Sequence, residues 1–321
     1  MALSWIPFAA LGAWWQGDGD RLPWLVSATL LLSFFHQPLT VVLVYGDRRT
    51  FDMRRALFAW APLVLTIGVL LGMHLSLAAL AVVAGLWNAE HTLMQRYGIS
   101  RIYGRKAGQA EGGRERAMLV SWLVLAAIWV AADADTPDRI AAMGVGGHNR
   151  RSLELLTDLR PVAQVLVPLA ILGAALLTAR WLDEERGRGD GANDANDAKR
   201  LYLASTAALF LTILVHPVAG FLGYVGSHAV EYFVIVHHSL GARYSNSSGD
   251  GDGGAALGRV VRRFKRLGSM AVYLTAVGLA VAAVDRYGSV AFHTAVLLVL
   301  GAVHLCFDGF IWKRPPAPAT A

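Results

Sequence analysis

The stretch AFHTAVLLVLGAVHLCFDGFIWKR, from Ala291 to Arg314, decides how the rest of the chain is read. It is long and apolar enough to cross a bilayer as a helix, yet it carries His304 and Asp308. Four positions apart, these residues advance about 400° and share one helical face, ~6 Å apart along the axis. Ionisable groups inside a span are costly, so the pair reads as functional, either two ligands or one hydrogen-bonded couple.

The composition extends that reading to the whole chain. Of 321 residues 55% are hydrophobic and 16% charged, and the mean hydropathy is +0.45. The fold class is therefore all-α, a polytopic transmembrane helical bundle, with residues 1–321 forming a single integral-membrane domain. A net charge of +6 does not point to nucleic acid, because the basic residues sit in short connectors between apolar runs and act as topology signals. The lone cysteine, Cys306, excludes an internal disulfide and any cysteine-built zinc or iron–sulfur site within one chain.

In chain order, residues 1–16 are rich in tryptophan and too short to span, and they predict an interfacial helix. The first span runs from Trp24 to Tyr45, with a kink expected at Pro38 beside His36. The long apolar stretch from Ala56 to about Tyr97 is split near Gly72 to His74 into a hairpin. Arginines flank it, Arg48, Arg49, Arg54 and Arg55 before and Arg96, Arg101 and Arg105 after. Met118–Ala132, Pro161–Trp181, Leu201–Ala219, Tyr224–Gly241, Met270–Ala283 and Ser289–Trp312 complete about nine spans. Residues 183–200 and 245–267 read as cytoplasmic linkers and 313–321 as a disordered tail.

Two glycine-rich motifs carry no chemistry on this reading. MGVGGHNRR lacks the Lys-Ser/Thr of a phosphate-binding loop, and its His148 is a loop histidine. DGDGG lacks the later acidic ligand of a calcium loop. Positive charge follows alternate spans, which predicts the amino terminus outside and the carboxyl terminus in the cytoplasm.

Depth can be read from distance to the cytoplasmic helix end. His36 and His304 each stand ~13 Å above it, His91 ~9 Å, His238 ~5 Å and Glu231 ~15 Å. Helical phase then puts Asn88, His91 and Gln95 on one face, with Glu90 turned about 100° away. It also aligns Tyr224, His228, Glu231 and His238, favouring His238 over His237, which replaces it if the helix bends or its register shifts. Such a set suits metal ligation: imidazoles and a carboxylate as ligands, with neighbouring amides and acids holding the imidazole tautomers. The candidate ligands are His36, His91, His238, His304, Glu231, His237 and His228. Gln95, Asn88, Asp308 and Tyr224 would orient them, and Glu231 and Asp308 would serve as catalytic groups. The competing explanation for any single histidine is interhelical hydrogen bonding. His74, His216 and His293 lie near outer span ends, where interfacial solvation accounts for them.

At FHQPL, NAEHTLMQRYGISRIYGRK, SHAVEYFVIVHHSL and HLCFDGFIWKR the chain resembles bacterial polytopic membrane oxygenases with histidines scattered singly over several spans, carotene dioxygenases among them. It departs from membrane desaturases and hydroxylases, because it lacks their HxxxH and HxxHH series and has only His237-His238. The resemblance implies that His36, His91, His238 and His304 act as dispersed iron ligands.

The expected function is that of a membrane metal-dependent oxidoreductase. Its cofactor would be one or two non-haem irons, and its substrate a lipid or isoprenoid-like small molecule. The bilayer surrounds it and a redox partner serves it from the cytoplasmic side. Zinc, copper and b-type haem are the other cofactors these ligands suit. The alternatives are a b-type haem electron carrier and a proton-coupled transporter.

Overall fold

The computed structural model describes residues 1–109, 112–144, 150–187, 196–244 and 256–312. The glycine-rich loop with His148, most of the DGDGG linker and the tail from residue 313 lie outside the described residues.

Among the described residues there are eleven helices and no strand. They are α1 (Ile6–Trp14), α2 (Arg21–Tyr45), α3 (Arg48–Asp52), α4 (Arg55–Lys106), α5 (Gly113–Ala132), α6 (Thr136–Ala142), α7 (Arg150–Gly187), α8 (Asp197–Val215), α9 (Pro217–Tyr244), α10 (Ala256–Tyr287) and α11 (Val290–Ile311). Eight of these are long and apolar enough to cross a membrane. The protein is an all-α, multi-pass membrane bundle.

The expected pair of spans after Ala56 is one 52-residue helix, α4, broken at Ser76 by extended backbone of φ −164° and ψ 100°. A straight helix of that length would run ~78 Å, more than twice a hydrocarbon core. The chain instead doubles back, because a Cβ at Gly72 would lie 3.1 Å from Leu80 Cδ1. Counting the two arms of α4 separately restores the nine spans expected. The break lies two residues beyond the expected window, where the Ser76 hydroxyl accepts from Ala79 N at 3.2 Å and restarts the helix. Pro38, by contrast, sits inside an unbroken α2.

The chain divides into two compact units, Met1–Leu30 with Gly85–His228, and Leu31–Ala84 with Ala229–Ala321. In the first unit, Leu93, Met118, Leu119, Leu203, Leu209 and Phe210 form one buried core, and Leu22, Leu25, Val26, Val218 and Leu222 form another. The predicted interfacial segment is the nine-residue α1, whose Ala9 and Gly12 are buried. It packs so closely that a Cβ at Gly12 would come within 2.8 Å of Leu222.

The second unit gathers Leu39, Leu43, Phe58, Val236, Val303 and Phe307. The linker expected over 245–267 is helical from Ala256. Its apolar face, through Leu257 and Val261, enters the second unit's core. Lys265, at φ 57°, separates this piece from the span beginning at Leu267.

The other expected linker, 183–200, is also shorter than its composition suggests. Helix α7 continues to Gly187 and α8 begins at Asp197, so Glu185 and Lys199 are helical and buried. Lys199 Nζ lies 2.7 Å from Glu185 and 2.9 Å from Glu115. It also donates to Gln109 Oε1 at 3.1 Å. Ser100 donates to Glu115, and Arg101 donates to the Gln109 carbonyl at 2.7 Å. One ammonium thus ties the start of α5 and the end of α7 to α8. Removing one member of such a buried group strands the others, at a cost of about 3–5 kcal/mol. Lys199→Met should lower the melting temperature of the detergent-purified protein by many degrees, whereas the exposed Lys265→Met should leave it nearly unchanged. Equal melting temperatures for wild type and Lys199→Met would refute the role given to this lysine.

Candidate metal centre

In the second unit, α2 and α11 each present two polar residues one turn apart, His36 with Thr40 and His304 with Asp308. That spacing is the i, i+4 face of a helix, which lets both residues of each pair meet the partner helix. All four are buried, as is Tyr232 on α9. His36 Nε2 and His304 Nε2 are 3.1 Å apart, and the rings stand edge to face with an interplanar angle of 80°. Tyr232 closes the group, its ring centroid 5.0 Å from that of His36 and 5.4 Å from that of His304.

The hub of this cluster is the Thr40 hydroxyl. It donates to Asp308 Oδ1 at 2.9 Å and lies 2.7 Å from His304 Nδ1 and 2.5 Å from the Tyr232 hydroxyl. Tyr232 also donates to Asp308 Oδ1, at 2.9 Å. A hydroxyl has one proton, and with that proton on Asp308 the Thr40 oxygen must accept from His304 Nδ1–H. His304 then carries its lone pair on Nε2, the atom facing His36. Asp308 reaches the imidazole through Thr40, its own oxygen being 3.9 Å from Nδ1. On the neighbouring turn, Tyr273 on α10 donates to the Phe35 carbonyl at 2.6 Å and pins the segment that carries His36.

Two nitrogens bound to one metal at ~2.1 Å, with a bond angle between 90° and 109°, lie about 3.0–3.4 Å apart. The spacing of the two Nε2 atoms falls in that range. It is too short for opposite axial ligands of a haem, whose nitrogens would be ~4 Å apart with the macrocycle between them.

The first unit holds a second histidine pair, His91 on α4 and His228 on α9, both buried. Their ring centroids are 5.2 Å apart and their planes nearly perpendicular, at 89°. Gln95, expected to orient an imidazole, instead donates to the His228 main-chain carbonyl at 3.1 Å. Tyr224 donates to the Ala89 carbonyl at 2.7 Å and joins α9 to α4 beside that pair. Asn88 is half-buried, and Glu90 is exposed as its phase predicts.

Arg96, read from the sequence as a flanking topology residue, is buried at 1% exposure. Its guanidinium donates to Ser227 at 2.5 Å and stands 5.9 Å over the Tyr224 ring.

Glu231 is completely buried next to Tyr232 in sequence. His238, preferred over His237 on helical phase, is exposed, and His237 is half-buried. Their ring centroids are 5.9 Å from each other. The physical reason is axial position: His238 lies six residues, ~9 Å, beyond Tyr232 along α9, past the level of the cluster. His74 and His216 are exposed, and His293 is partly exposed with Nδ1 2.8 Å from the Ser289 carbonyl.

Thr40 and Tyr232 are the residues that sequence reasoning missed. Each sits four positions after a histidine, His36 or His228, and that spacing is the signal that would have found them. No family model matches the chain, and comparison with curated proteins and with solved structures likewise returns no match. Tyr232→Phe removes one donor from the buried Asp308 carboxyl and should destabilise the protein by about 1–3 kcal/mol, read as a drop in melting temperature. A melting temperature equal to wild type would remove this hydroxyl from the network.

Proposed function

We propose that the protein is an integral-membrane, metal-dependent oxidoreductase, with a non-haem iron oxygenase or hydroxylase acting on a lipid or isoprenoid-like substrate as the favoured chemistry. The observation that carries this reading is the 3.1 Å approach of His36 Nε2 and His304 Nε2 in a buried site, with the far nitrogen of His304 held by Thr40. A neutral imidazole presenting a lone pair is a ligand ready to bind, and a partner on its other nitrogen is the usual way such a ligand is oriented. His36 and His304 would hold an ion, and Glu231 and Asp308 supply carboxylates within the same unit. His91 and His228 form a second buried imidazole pair, able to serve a second ion. Iron would activate dioxygen or a bound water. The chain's own part is to orient His304 through Thr40, hold a proton on Nδ1 and keep bulk water out. An apolar substrate would enter from the bilayer, and electrons from a cytoplasmic redox partner, with the amino terminus outside and the carboxyl terminus in the cytoplasm.

Proton-coupled transport is the second reading. The continuous chain Tyr232–Asp308–Thr40–His304 supports it, because hydrogen-bonded hydroxyls and carboxyls inside a span are also how protons are relayed.

Elemental analysis of anaerobically purified protein separates the two. Near-stoichiometric iron is expected in wild type, none retained in His304→Ala, and metal affinity about 10–100-fold weaker in Thr40→Val. Metal-free wild-type protein whose reconstituted vesicles take up solute along a pH gradient would replace the oxidoreductase reading with the transporter.

A further inference from the structure

A groove at the start of α5 and the end of α7 is lined by Arg114, Ala117, Leu177, Arg180 and Asp183 and encloses about 330 Å³. All five residues belong to the first unit. Helix α7 runs alongside α5 here, because Trp122 donates to Thr178 at 2.9 Å. The groove is therefore lined by two regular helices, which bring the guanidiniums of Arg114 and Arg180 together with the apolar Ala117 and Leu177.

Charge in the groove is nearly balanced but not quite. Arg114 pairs with Glu184 at 3.3 Å, and Asp183 pairs with Arg186 at 3.6 Å. Arg180 is exposed and has no carboxylate partner among the described residues, which leaves one positive charge in excess. Toward the middle of both helices the surface turns apolar. Val120 and Val124 on α5, and Leu169, Leu172 and Leu176 on α7, are all exposed, as lipid-facing residues of a span are. Arg114 is the second residue of α5, and Arg180 lies two turns before the end of α7, so both occupy the ends of spans where headgroups lie.

We propose that this groove binds an anionic phospholipid. Arg180 and Arg114 hold the phosphate, and an acyl chain lies along Ala117, Leu177, Val120 and Leu176. A single-charge phosphodiester matches the excess charge of the site, a basic pocket between spans suits such headgroups, and the apolar continuation suits a lipid rather than a free ion. The site is separate from the histidine cluster and does not depend on the metal reading.

The test uses the full chain in detergent, with phosphatidylglycerol, phosphatidylcholine or inorganic phosphate added. Melting temperature and bound-lipid count by native mass spectrometry are the readouts. Phosphatidylglycerol should raise the melting temperature and remain bound, with affinity about fivefold weaker in Arg180→Gln and weaker again when Arg114→Gln is added. Both side chains are exposed, so folding of the variants is not at stake, and Arg180→Lys should recover part of the loss. Equal binding to the double variant would overturn the proposal. So would an equal response to phosphatidylcholine, which would remove the charge preference. An equal response to inorganic phosphate would mark a free-anion site in place of a lipid site.

Discussion

The Thr40 hydroxyl is the interaction on which the second unit's interior depends. It touches side chains from two other helices, Tyr232 of α9 and both His304 and Asp308 of α11. In hydrocarbon no water is at hand to satisfy a buried carboxyl or imidazole, so each must find its partners within the protein. One hydroxyl that donates to Asp308 and accepts from His304 meets that demand for both, while Tyr232 gives its own proton to Asp308. It also constrains them, because α2, α9 and α11 can slide past one another only by breaking contacts that nothing else replaces. The apolar core of Leu39, Val236, Val303 and Phe307 surrounds the cluster but has no comparable direction: dispersion and burial set how close helices come, and hydrogen bonds set their register.

The first unit meets the same demand with charge. Lys199 lies between Glu115 and Glu185, and Arg96 reaches Ser227, so helix ends that composition would place in solvent are drawn inward. Two buried carboxylates around one ammonium would leave an excess negative charge, and Arg101, 4.0 Å from Glu115, offsets it. Such groups are weak evidence of net stability, because desolvation costs much of what attraction returns. What they do show is a tie: Lys199 of α8 meets Glu115 of α5 and Glu185 of α7 at once.

Particular residues mark how far sequence could be followed. The all-α membrane class was legible in the long apolar runs. His36 and His304 stood out as ionisable residues at matching depth, and the i, i+4 spacing of His304 and Asp308 put that pair on one face. Thr40 and Tyr232 did not stand out, because hydroxyl residues are common in spans and carry no charge that calls for an explanation. Measured from Gly241, Tyr232 stands at ~14 Å, the depth already assigned to His36 and His304, whereas His238 stood at ~5 Å. Depth would have drawn attention to Tyr232 on α9, a residue that the choice between His237 and His238 by phase did not consider. For Glu185 and Lys199 the obstacle was different. A low-complexity stretch reads as solvated when its residues are averaged, yet Glu185 and Lys199 pair with each other, and the further partners of Lys199, the carboxylate of Glu115 and the amide of Gln109, lie far away in sequence. Arg96 misled because α4 runs nine residues past Tyr97, to Lys106, and carries the true helix end well beyond the apolar run.

The tautomer of His304 links packing to chemistry. If Thr40 and Asp308 served only to satisfy a structural histidine, either imidazole nitrogen would do, and the free one could face lipid-packed side chains. Instead the hydroxyl whose proton is committed to Asp308 receives Nδ1–H, and the remaining lone pair points at a second buried imidazole. Without a metal, that geometry is a hydrogen bond in which His36 donates from Nε2. Were an ion held there, the Nε2 proton of a neutral His36 would have to pass to its Nδ1, since losing it outright would leave an imidazolate, whereas His304 already has its lone pair on Nε2. The helices that carry Tyr232 and His304 are held by the same hydroxyl that sets the tautomer.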